Sequence, residues 1–267
     1  MSGVQLKTPD ELALQREAGR LLAQVFAMLD SKIAAGMSTL QINELAERYI
    51  VDELQARPAS KGQYGFAYVL NTSVNEVVCH GVPSATQLLK DGDIVNVDIT
   101  LEKHGFIADS SKMYCIGEPA FLARQLVEDC YQALWLGIKA VKPGARLGDI
   151  GFAIEQFANS KGYSVVREYC GHGIGREMHE EPQVLHYGKS GTGMQLKPGM
   201  VFTIEPMLNQ GTAKTKTKKD GWTVVTRDKK LSAQWEHTVA VTDSGVEVLT
   251  LRAEEHTMVI PSGLHLR

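Results

Sequence analysis

Apolar residues recur at helical spacing in two pairs of segments, which predicts two pairs of amphipathic helices. The first pair begins with Thr8 as N-cap and Pro9 at the first helical position, and then with Ser38 or Thr39 as the second N-cap. The second pair spans about 120–141 and 147–161. The segment 59–75 is predicted to be a loop with an irregular strand. Strand-like runs follow each helix pair, at 77–80, 94–101 and 106–113 and again at 165–170, 201–204, 222–226 and 234–241.

This order of helices and strands occurs twice, which indicates an internal repeat. A shift of 108 positions aligns Gly36 with Gly144, together with Ile33, Ile42 and Glu47 on Val141, Ile150 and Glu155. A shift of 107 aligns 89–92 with 196–199 and places Asp98 on Glu205. We therefore expect a single catalytic domain over 1–267, with a first half at about 1–110, a second half at 111–252 and a C-terminal tail at 253–267.

Composition narrows the class of protein. The chain has 267 residues, of which 43% are hydrophobic and 22% charged, and a net charge of −3, so no general basic surface for DNA is expected. The longest apolar run is far shorter than the ~20 residues of a membrane span, and the first ten residues lack an export signal. Four cysteines without a C-x-x-C pair are typical of reduced thiols. These features favour a monomeric cytoplasmic enzyme.

Three apolar strand-like runs contain or adjoin a carboxylate, although carboxylates are depleted in strands and costly to bury. These carboxylates are Asp98, Glu205 and Glu236. Strand alternation places Asp98 on a polar face with its neighbours Asn96 and Thr100, while the opposite face is apolar. The acidic residues are therefore candidates for a functional site.

A fourth carboxylate, Asp109, is predicted to join Asp98 in a hairpin. A turn centred on Lys103 and His104 would pair Leu101 with Phe106 and Asp98 with Asp109, with β-carbons about 4.5–5.5 Å apart. Like charges so close are either shared with a cation or neutralised by a proton. The alternative is an exposed hairpin stem, in which solvent screens the pair.

One histidine lies between glycines, in the segment 171–175. His172 at such a position is often a turn residue, but together with four strand carboxylates it completes a ligand set for first-row divalent metals. The four carboxylates supply four negative charges, which two divalent ions neutralise. This set favours Mn(II), Fe(II) or Co(II) over a structural zinc and predicts a dinuclear metallohydrolase. The remaining lone histidines are interpreted as structural or surface residues: His104, His186, His237, His256 and His265.

Six motifs in this chain resemble those of the type 1 methionine aminopeptidases. They are NEVVCHG at 75–81, GHGIG at 171–175, MHEEP at 178–182, TIEP at 203–206, DGW at 220–222 and QWEHT at 234–238. The resemblance covers about 7–252 and implies an α+β pita-bread fold, with two pseudo-symmetric halves around a curved antiparallel sheet. We expect the protein to lack the helical insertion of the type 2 class and the N-terminal domain of the related prolidases.

The resemblance implies removal of the initiator methionine from nascent proteins, with a small second residue preferred. Its five metal ligands fall on the residues selected above: Asp98, Asp109, His172, Glu205 and Glu236. A metal-bridging hydroxide would attack the scissile carbonyl, and Glu205 would carry the proton to the leaving amine. His179 would hydrogen-bond the oxyanion and His80 the scissile amide.

The resemblance also implies binding sites for the substrate and for a monovalent ion. The pocket for the methionine side chain would be lined by Ser60, Phe66, Asn71 and Trp222. The substrate α-amine would lie near the second metal. Here the chain departs from the usual pattern, because Ser60 and Asn71 replace cysteines and the segment 63–67 is QYGFA. We expect this pocket wall to be remote from the metal chemistry. A structural sodium or potassium ion is expected near Asn75, Val77 and Ser232.

Other interpretations stay open at the level of sequence. An aminopeptidase that cleaves before proline and a binding module that has lost its metals share the implied fold, although all five ligands are retained here. The segment 214–219, which contains Lys214, Lys216, Lys218 and Lys219, is either a solvated loop or a docking site for ribosomal RNA.

Overall fold

The computed structural model describes residues 3–257, with Thr257 described only in its backbone. Within that range lie four α-helices: α1 (Pro9–Asp30), α2 (Thr39–Arg48), α3 (Phe121–Lys139) and α4 (Leu147–Ser160). A π-helical turn follows α2 at Tyr49–Glu53, and short 3₁₀ turns lie at Gln63–Gly65 and Ala253–Thr257. None of the helices in this range has the length and hydrophobicity that a membrane span requires.

Fifteen strands in the described range form four antiparallel sheets. They are β1 (Arg57–Pro58), β2 (Leu70–Val74), β3 (Val77–Cys79), β4 (Ile94–Lys103), β5 (Phe106–Cys115), β6 (Ser164–Val165), β7 (Gly171–Gly173), β8 (Glu180–Val184), β9 (Val201–Ile204), β10 (Met207–Asn209), β11 (Thr215–Thr217), β12 (Val224–Thr226), β13 (Ser232–Gln234), β14 (His237–Val241) and β15 (Val246–Val248). One sheet has the order β1-β4-β2 with β5 on β4, and another the order β15-β14-β9-β7-β8. The three-stranded sheets are β13-β10-β6 and β11-β12-β3.

The predicted helix starts are confirmed in detail. The Thr8 side chain accepts a hydrogen bond from the N–H of Glu11, whose carboxylate accepts from the N–H of Thr8. Ser38 and Gln41 form the same reciprocal pair at the start of α2. Each pair satisfies backbone donors that an α-helix leaves free at its first turn, so the local sequence determines where both helices begin.

The two halves of the predicted repeat make equivalent contacts. The N–H of Gly36 donates to the carbonyl of Leu89 at 2.7 Å, and the N–H of Gly144 donates to that of Leu196 at 3.0 Å. Both glycines have positive φ, 89° and 85°, a conformation that glycine adopts without strain. Each helix pair covers its own buried apolar cluster, one around Phe26 and the other around Leu134 and its neighbours.

The predicted pairing of Asp98 with Asp109 is wrong by two residues. His104 and Gly105 both have positive φ, 53° and 78°, and form the two-residue turn typical of a β-hairpin. Lys103 consequently pairs with Phe106, so that Asp98 lies opposite Ser111 and Asp109 opposite Thr100. A shift of two keeps both aspartates on the same face, because side chains alternate with a period of two.

Two other strand predictions need correction. The run 165–170 is a strand only at Ser164–Val165, and the run 234–241 is divided into β13 and β14 by a break at Trp235 and Glu236. At this break Glu236 forms a bridge with Ser111 of β5. The Asn96 side chain also donates to the Gln234 carbonyl at 2.7 Å. The irregular segment therefore joins the two halves where the candidate ligands lie.

Candidate metal centre

The structure brings all five predicted metal ligands to one cavity of about 850 Å³. Asp98 lies on β4 and Asp109 on β5, while the other three come from the second half. Their positions are the middle of β7 for His172, the residue after β9 for Glu205 and the break before β14 for Glu236. The cavity thus lies on the seam between the two halves.

The ligand atoms are close enough to share cations. One atom each of Asp109, His172 and Glu236 lies within 4.8 Å of the others. His172 Nε2 is 3.8 Å from Asp109 Oδ2 and 3.6 Å from Glu205 Oε1. The carboxyl groups of Asp98 and Asp109 also contact each other across the hairpin, despite the corrected register. The five side chains therefore form one cluster.

Backbone and hydroxyl groups hold the two ligands that meet across the seam. The N–H of Asp109 donates to Thr238 Oγ1 at 3.2 Å, and the same hydroxyl donates to the Asp109 carbonyl at 2.7 Å. The N–H of Glu236 donates to the Ser111 carbonyl at 3.2 Å, and Ser110 Oγ donates to the Glu236 carbonyl at 2.7 Å. Both residues are more than nine-tenths buried, so their positions are tightly determined.

A second set of hydrogen bonds orients Glu205 and His172. Thr203 Oγ1 accepts from the His172 N–H at 3.0 Å and donates to Glu205 Oε1 at 2.9 Å. Gln234 Nε2 donates to Glu205 Oε2 at 3.2 Å, and the Glu205 N–H donates to His186 Nε2 at 3.0 Å. His186 is completely buried, so the structural interpretation of this residue holds, but its contact with a candidate ligand was not foreseen.

Burial shifts the pKa values of the cluster toward the uncharged forms, so a bound cation would have to displace protons from the carboxyl groups. It raises the pKa of Asp98 to about 6 and that of Glu205 to about 8, and the pKa values of Asp109 and Glu236 rise well above their ordinary range. Burial also lowers the pKa of His172 to about 4, so its imidazole is neutral near pH 7. His172 Nδ1 lies 3.0 Å from the Gly173 carbonyl, which favours the tautomer that leaves Nε2 free as a ligand.

These observations fit a divalent metal centre. The four clustered carboxylates repel one another, and the pKa values of three of them rise further because of neighbouring carboxylates. Asp109 Oδ1 is buried without a hydrogen-bond partner among residues 3–257, although its other oxygen faces His172. Oxygen-rich sets with one imidazole suit first-row divalent ions.

The two histidines predicted to contact substrate also line this cavity. The His179 ring lies 4.4 Å from the His172 ring and stacks on Tyr64 at 5.9 Å. His80 has a positive φ of 55° and meets the edge of Tyr169 at 5.4 Å. Burial lowers the pKa of both histidines, which favours their neutral forms. Tyr64 and Tyr169 were not selected from the sequence, because aromatic residues in irregular segments have no periodic pattern.

The four predicted pocket residues line one wall of the cavity. The rings of Phe66 and Trp222 meet edge to face at 5.0 Å, and the Ser60 hydroxyl contacts that of Thr100. Asn71 lies directly opposite Asp98 in the β2–β4 pairing, and its amide lowers the pKa of that carboxyl. The expectation that this wall is remote from the metal ligands is therefore wrong for Asn71.

The residues expected near a monovalent ion lie together at another point of the seam. Asn75 has a positive φ of 54°, and its carbonyl accepts from the Ser232 N–H at 3.0 Å. Val77 begins β3, two residues further along. Ser232 Oγ is buried without a hydrogen-bond partner in the described part of the chain. An oxygen ligand is therefore available there.

Comparison with known proteins bears on this arrangement. The model of metallopeptidase family M24 matches residues 13–243. A methionine aminopeptidase of Escherichia coli strain K12 is 50% identical over 252 residues, which cover 94% of this chain and 96% of that protein. The chain belongs to the methionine aminopeptidases of metallopeptidase family M24. The predicted resemblance and the predicted class, a metallopeptidase hydrolase, are confirmed.

The solved structures agree with this assignment. The crystal structure of methionine aminopeptidase from Rickettsia prowazekii aligns with a TM-score of 0.91 and 45% identity, over 93% of this chain and all of that one. A prolidase from Pyrococcus horikoshii aligns with a TM-score of 0.72 but only 20% identity, over 92% of this chain and 63% of that one. This second likeness concerns the fold alone, and the pita-bread prediction is confirmed.

Proposed function

We propose that this protein removes the initiator methionine from nascent polypeptides and prefers substrates with a small second residue. The observation that carries the proposal is the meeting of five candidate metal ligands and two neutral histidines in one cavity with an aromatic wall. The relatives at about half identity are named methionine aminopeptidases, which supports the same activity here.

Two divalent ions would be held by Asp98, Asp109, His172, Glu205 and Glu236. When bound, they supply Lewis acidity at the scissile carbonyl and lower the pKa of water at neutral pH. The identity of the ions follows from the donor set only as far as Mn(II), Fe(II), Co(II) or a similar ion. These side chains are four carboxylates and one imidazole, with no sulfur ligand. They therefore do not match the closed tetrahedral site of a structural zinc ion.

The side chains around the ions would handle protons and charge. Glu205, oriented by Thr203 and Gln234, would accept a proton from the attacking water and deliver it to the leaving amine. His179 would donate a hydrogen bond to the oxygen that gains charge in the tetrahedral intermediate. His80, which also lines the cavity, would contact the scissile amide.

The aromatic wall would select the substrate side chain. Phe66 and Trp222 offer apolar surface to an unbranched thioether, while Ser60 and Asn71 form the polar part of the wall. The carboxylate cluster would attract the free α-amine of the substrate, which restricts cleavage to the first residue. This arrangement accounts for an exopeptidase rather than an endopeptidase.

A peptide panel tests the proposed activity on protein reconstituted with Mn(II). We expect turnover of Met-Ala-Ser, with slower cleavage of Leu-Ala-Ser and none of N-acetyl-Met-Ala-Ser. Preferential cleavage of an Ala-Pro peptide would instead indicate an aminopeptidase that acts before proline. Failure to cleave any of these peptides, with metal bound, would indicate a binding module.

We further propose one domain over 1–267, made of the halves 1–110 and 111–252, that acts as a monomer in the cytoplasm. Most of the predicted tail at 253–267, with His265, lies outside the described residues. A sodium or potassium ion bound near Asn75, Val77 and Ser232 would use the Ser232 hydroxyl, which has no hydrogen-bond partner within residues 3–257. A higher melting temperature in KCl or NaCl than in choline chloride at equal ionic strength is the expected result.

Docking on ribosomal RNA is a further proposal, based on the lysines of the β11–β12 hairpin. The hairpin carries the exposed Lys216 and Lys218, and Arg227 and Lys229 follow on the same surface. Exposed basic side chains on a hairpin suit phosphate contacts. Cosedimentation with ribosomes that weakens as salt rises, and weakens further in Lys216→Glu/Lys218→Glu, is expected. Absence of cosedimentation at low salt would favour the solvated loop.

A further inference from the structure

A buried lysine that takes no part in the proposed chemistry lies just before α1. Lys7 Nζ is 2.6 Å from Glu180 Oε2, and the side chains are only 3% and 13% exposed. The lysine packs directly on Gly175, where an added β-carbon would lie 2.4 Å from Nζ. Its own backbone N–H donates to the Gly199 carbonyl at 2.8 Å. Both the ammonium group and its backbone are therefore held in place.

The carboxylate of Glu180 connects this lysine to the turn that precedes His179. Its second oxygen, Oε1, accepts hydrogen bonds from the N–H of Arg176 at 3.0 Å and of Glu177 at 3.3 Å. One carboxylate thus binds the ammonium group on one side and two consecutive amides on the other. The residue next to Glu180 in the chain is His179 itself.

Helix α1 makes two more contacts with the same segment. Gln15 is buried and donates through Nε2 to the Ile174 carbonyl at 3.2 Å. Glu11 accepts from the Arg176 guanidinium at 3.4 Å at the surface. Lys7, Glu11 and Gln15 are spaced four residues apart, and all three reach the segment 174–180. The start of the chain and the histidine loop are therefore built as one unit.

Stability alone is a weak explanation for this ion pair. Burying a charged pair costs desolvation free energy that its attraction often fails to exceed, so apolar replacements are frequently neutral. The exposed His179 ring meets the rings of His172 and Tyr64, and its one hydrogen bond within residues 3–257 is with Tyr64 Oη, 3.4 Å from Nδ1. The backbone of the loop must set where this ring points.

We propose that Lys7 is a positioning residue, which orients His179 for the reaction through Glu180 and the amides of Arg176 and Glu177. This inference rests on the proposed role of His179 as a hydrogen-bond donor to the oxyanion. Without the ammonium group, Glu180 turns toward water and the loop loses its support. Misplacement of a catalytic group by about 1 Å can lower a rate by about 100-fold.

Steady-state kinetics on Met-Ala-Ser test the proposal. We expect Lys7→Met to lower kcat by about 10- to 100-fold, with KM and metal affinity nearly unchanged, and Lys7→Arg to restore most of the rate. The matched control is Arg16→Met, which removes an ion pair between α1 and Glu247 away from the cavity. In a His179→Ala background, Lys7→Met should add little further loss, because both changes act on the same ring. An equal loss in both backgrounds would overturn the proposal.

Hydrogen exchange at the amides of Arg176 and Glu177 gives a second readout that needs no activity. Lys7→Met should reduce protection at these amides, whereas Arg16→Met should not. If Lys7→Met does not fold, Glu180→Gln replaces it, since the amide keeps an acceptor for the loop but loses the charge. A normal rate in His179→Ala would contradict the proposed function, whereas unchanged protection in the folded Lys7 or Glu180 variant would contradict this inference.

Discussion

The candidate metal ligands and His179 line the same cavity but are held in different ways. Asp98 and Asp109 project from two long paired strands, and their backbone positions follow from a continuous ladder of hydrogen bonds. His179 lies between β7 and β8, where side chains from α1 support the loop. The ligands thus depend on regular structure, and the histidine depends on a few long-range contacts.

This difference predicts different consequences of mutation. Removing a strand carboxylate changes the charge of the centre without disturbing its backbone. We therefore expect a lower catalytic rate and weaker metal binding. Removing a support of the loop should alter the position of a ring while the metals remain bound. Segments with few buried contacts open at lower free energy than core strands, which makes the loop the more sensitive region.

The largest effect is expected for Glu205→Gln, which removes both a ligand charge and the proposed proton carrier. We expect kcat for Met-Ala-Ser to fall by at least ~10³-fold, with most of the stability retained. The control is Glu168→Gln, an exposed carboxylate. Turnover like that of the unmodified protein would remove Glu205 from the mechanism.

His179→Ala should have the next largest effect and should separate the two regions. If the ring stabilises the oxyanion, its loss costs about 2.7–4 kcal/mol of transition-state stabilisation. Calorimetric titration with Mn(II) should give nearly unchanged affinity, since the ring is not among the proposed ligands. Loss of metal with little change in rate per bound metal would make His179 a ligand instead.

Removal of metal should make stability depend on pH through Glu205. Burial raises the pKa of Glu205 to about 8, so the folded chelated protein binds more protons than the unfolded chain. The protonated Glu205 side chain adds to the free energy of unfolding at low pH, and this contribution is lost as pH rises toward 8. The histidines with lowered pKa values titrate below about 6.5 and do not obscure this window.

Glu205 alone is expected to lower the unfolding free energy by roughly 1–2 kcal/mol between pH 6.5 and 8 in chelator. Urea unfolding at several pH values measures the fall, and Glu205→Gln should reduce it, since the raised pKa values of Asp109 and Glu236 act in the same direction. Saturating Mn(II) should abolish the fall, since a bound cation replaces the protons. Stability that rises over this window in chelator would contradict the assigned environment.

The smallest effect is expected for Asn71→Cys, at the boundary between pocket and metal centre. The amide lies opposite Asp98, so its loss should change KM and weaken metal binding by a few-fold, with kcat within a few-fold. Ser60→Cys serves as the comparison within the same wall. A large fall in kcat at unchanged KM would show that Asn71 positions the scissile bond.

Strand patterns were sufficient to select the four candidate carboxylates, whereas His172 was selected because glycines flank it. Asp98 and Glu205 stand out because carboxylates interrupt apolar runs, and the repeat relates them by position. Asp109 was selected with an incorrect register, yet correctly assigned to the same face, since an error of two residues does not change which face a side chain occupies. The periodicity of a strand tolerates such errors.

Contacts between distant segments could not be predicted in the same way. Lys7 and Glu180 are 173 positions apart, and nothing in either local pattern indicates the other. His186 follows β8 and has no neighbouring motif that points to Glu205. Such partners are determined by how distant segments pack, between the halves for Lys7 and within the second half for His186, and no local period of a single sequence encodes that packing.

The central claim is that the five clustered side chains hold divalent metal ions on which peptide cleavage depends. Calorimetric titration of chelated protein with Mn(II), Fe(II), Co(II) and Zn(II), followed by activity on Met-Ala-Ser in the same samples, tests it most directly. We predict no turnover without metal and recovery that follows metal bound, up to two ions per chain. Turnover in chelated protein free of metal would contradict the claim. Full binding of all four ions with no turnover from any one of them would also contradict it.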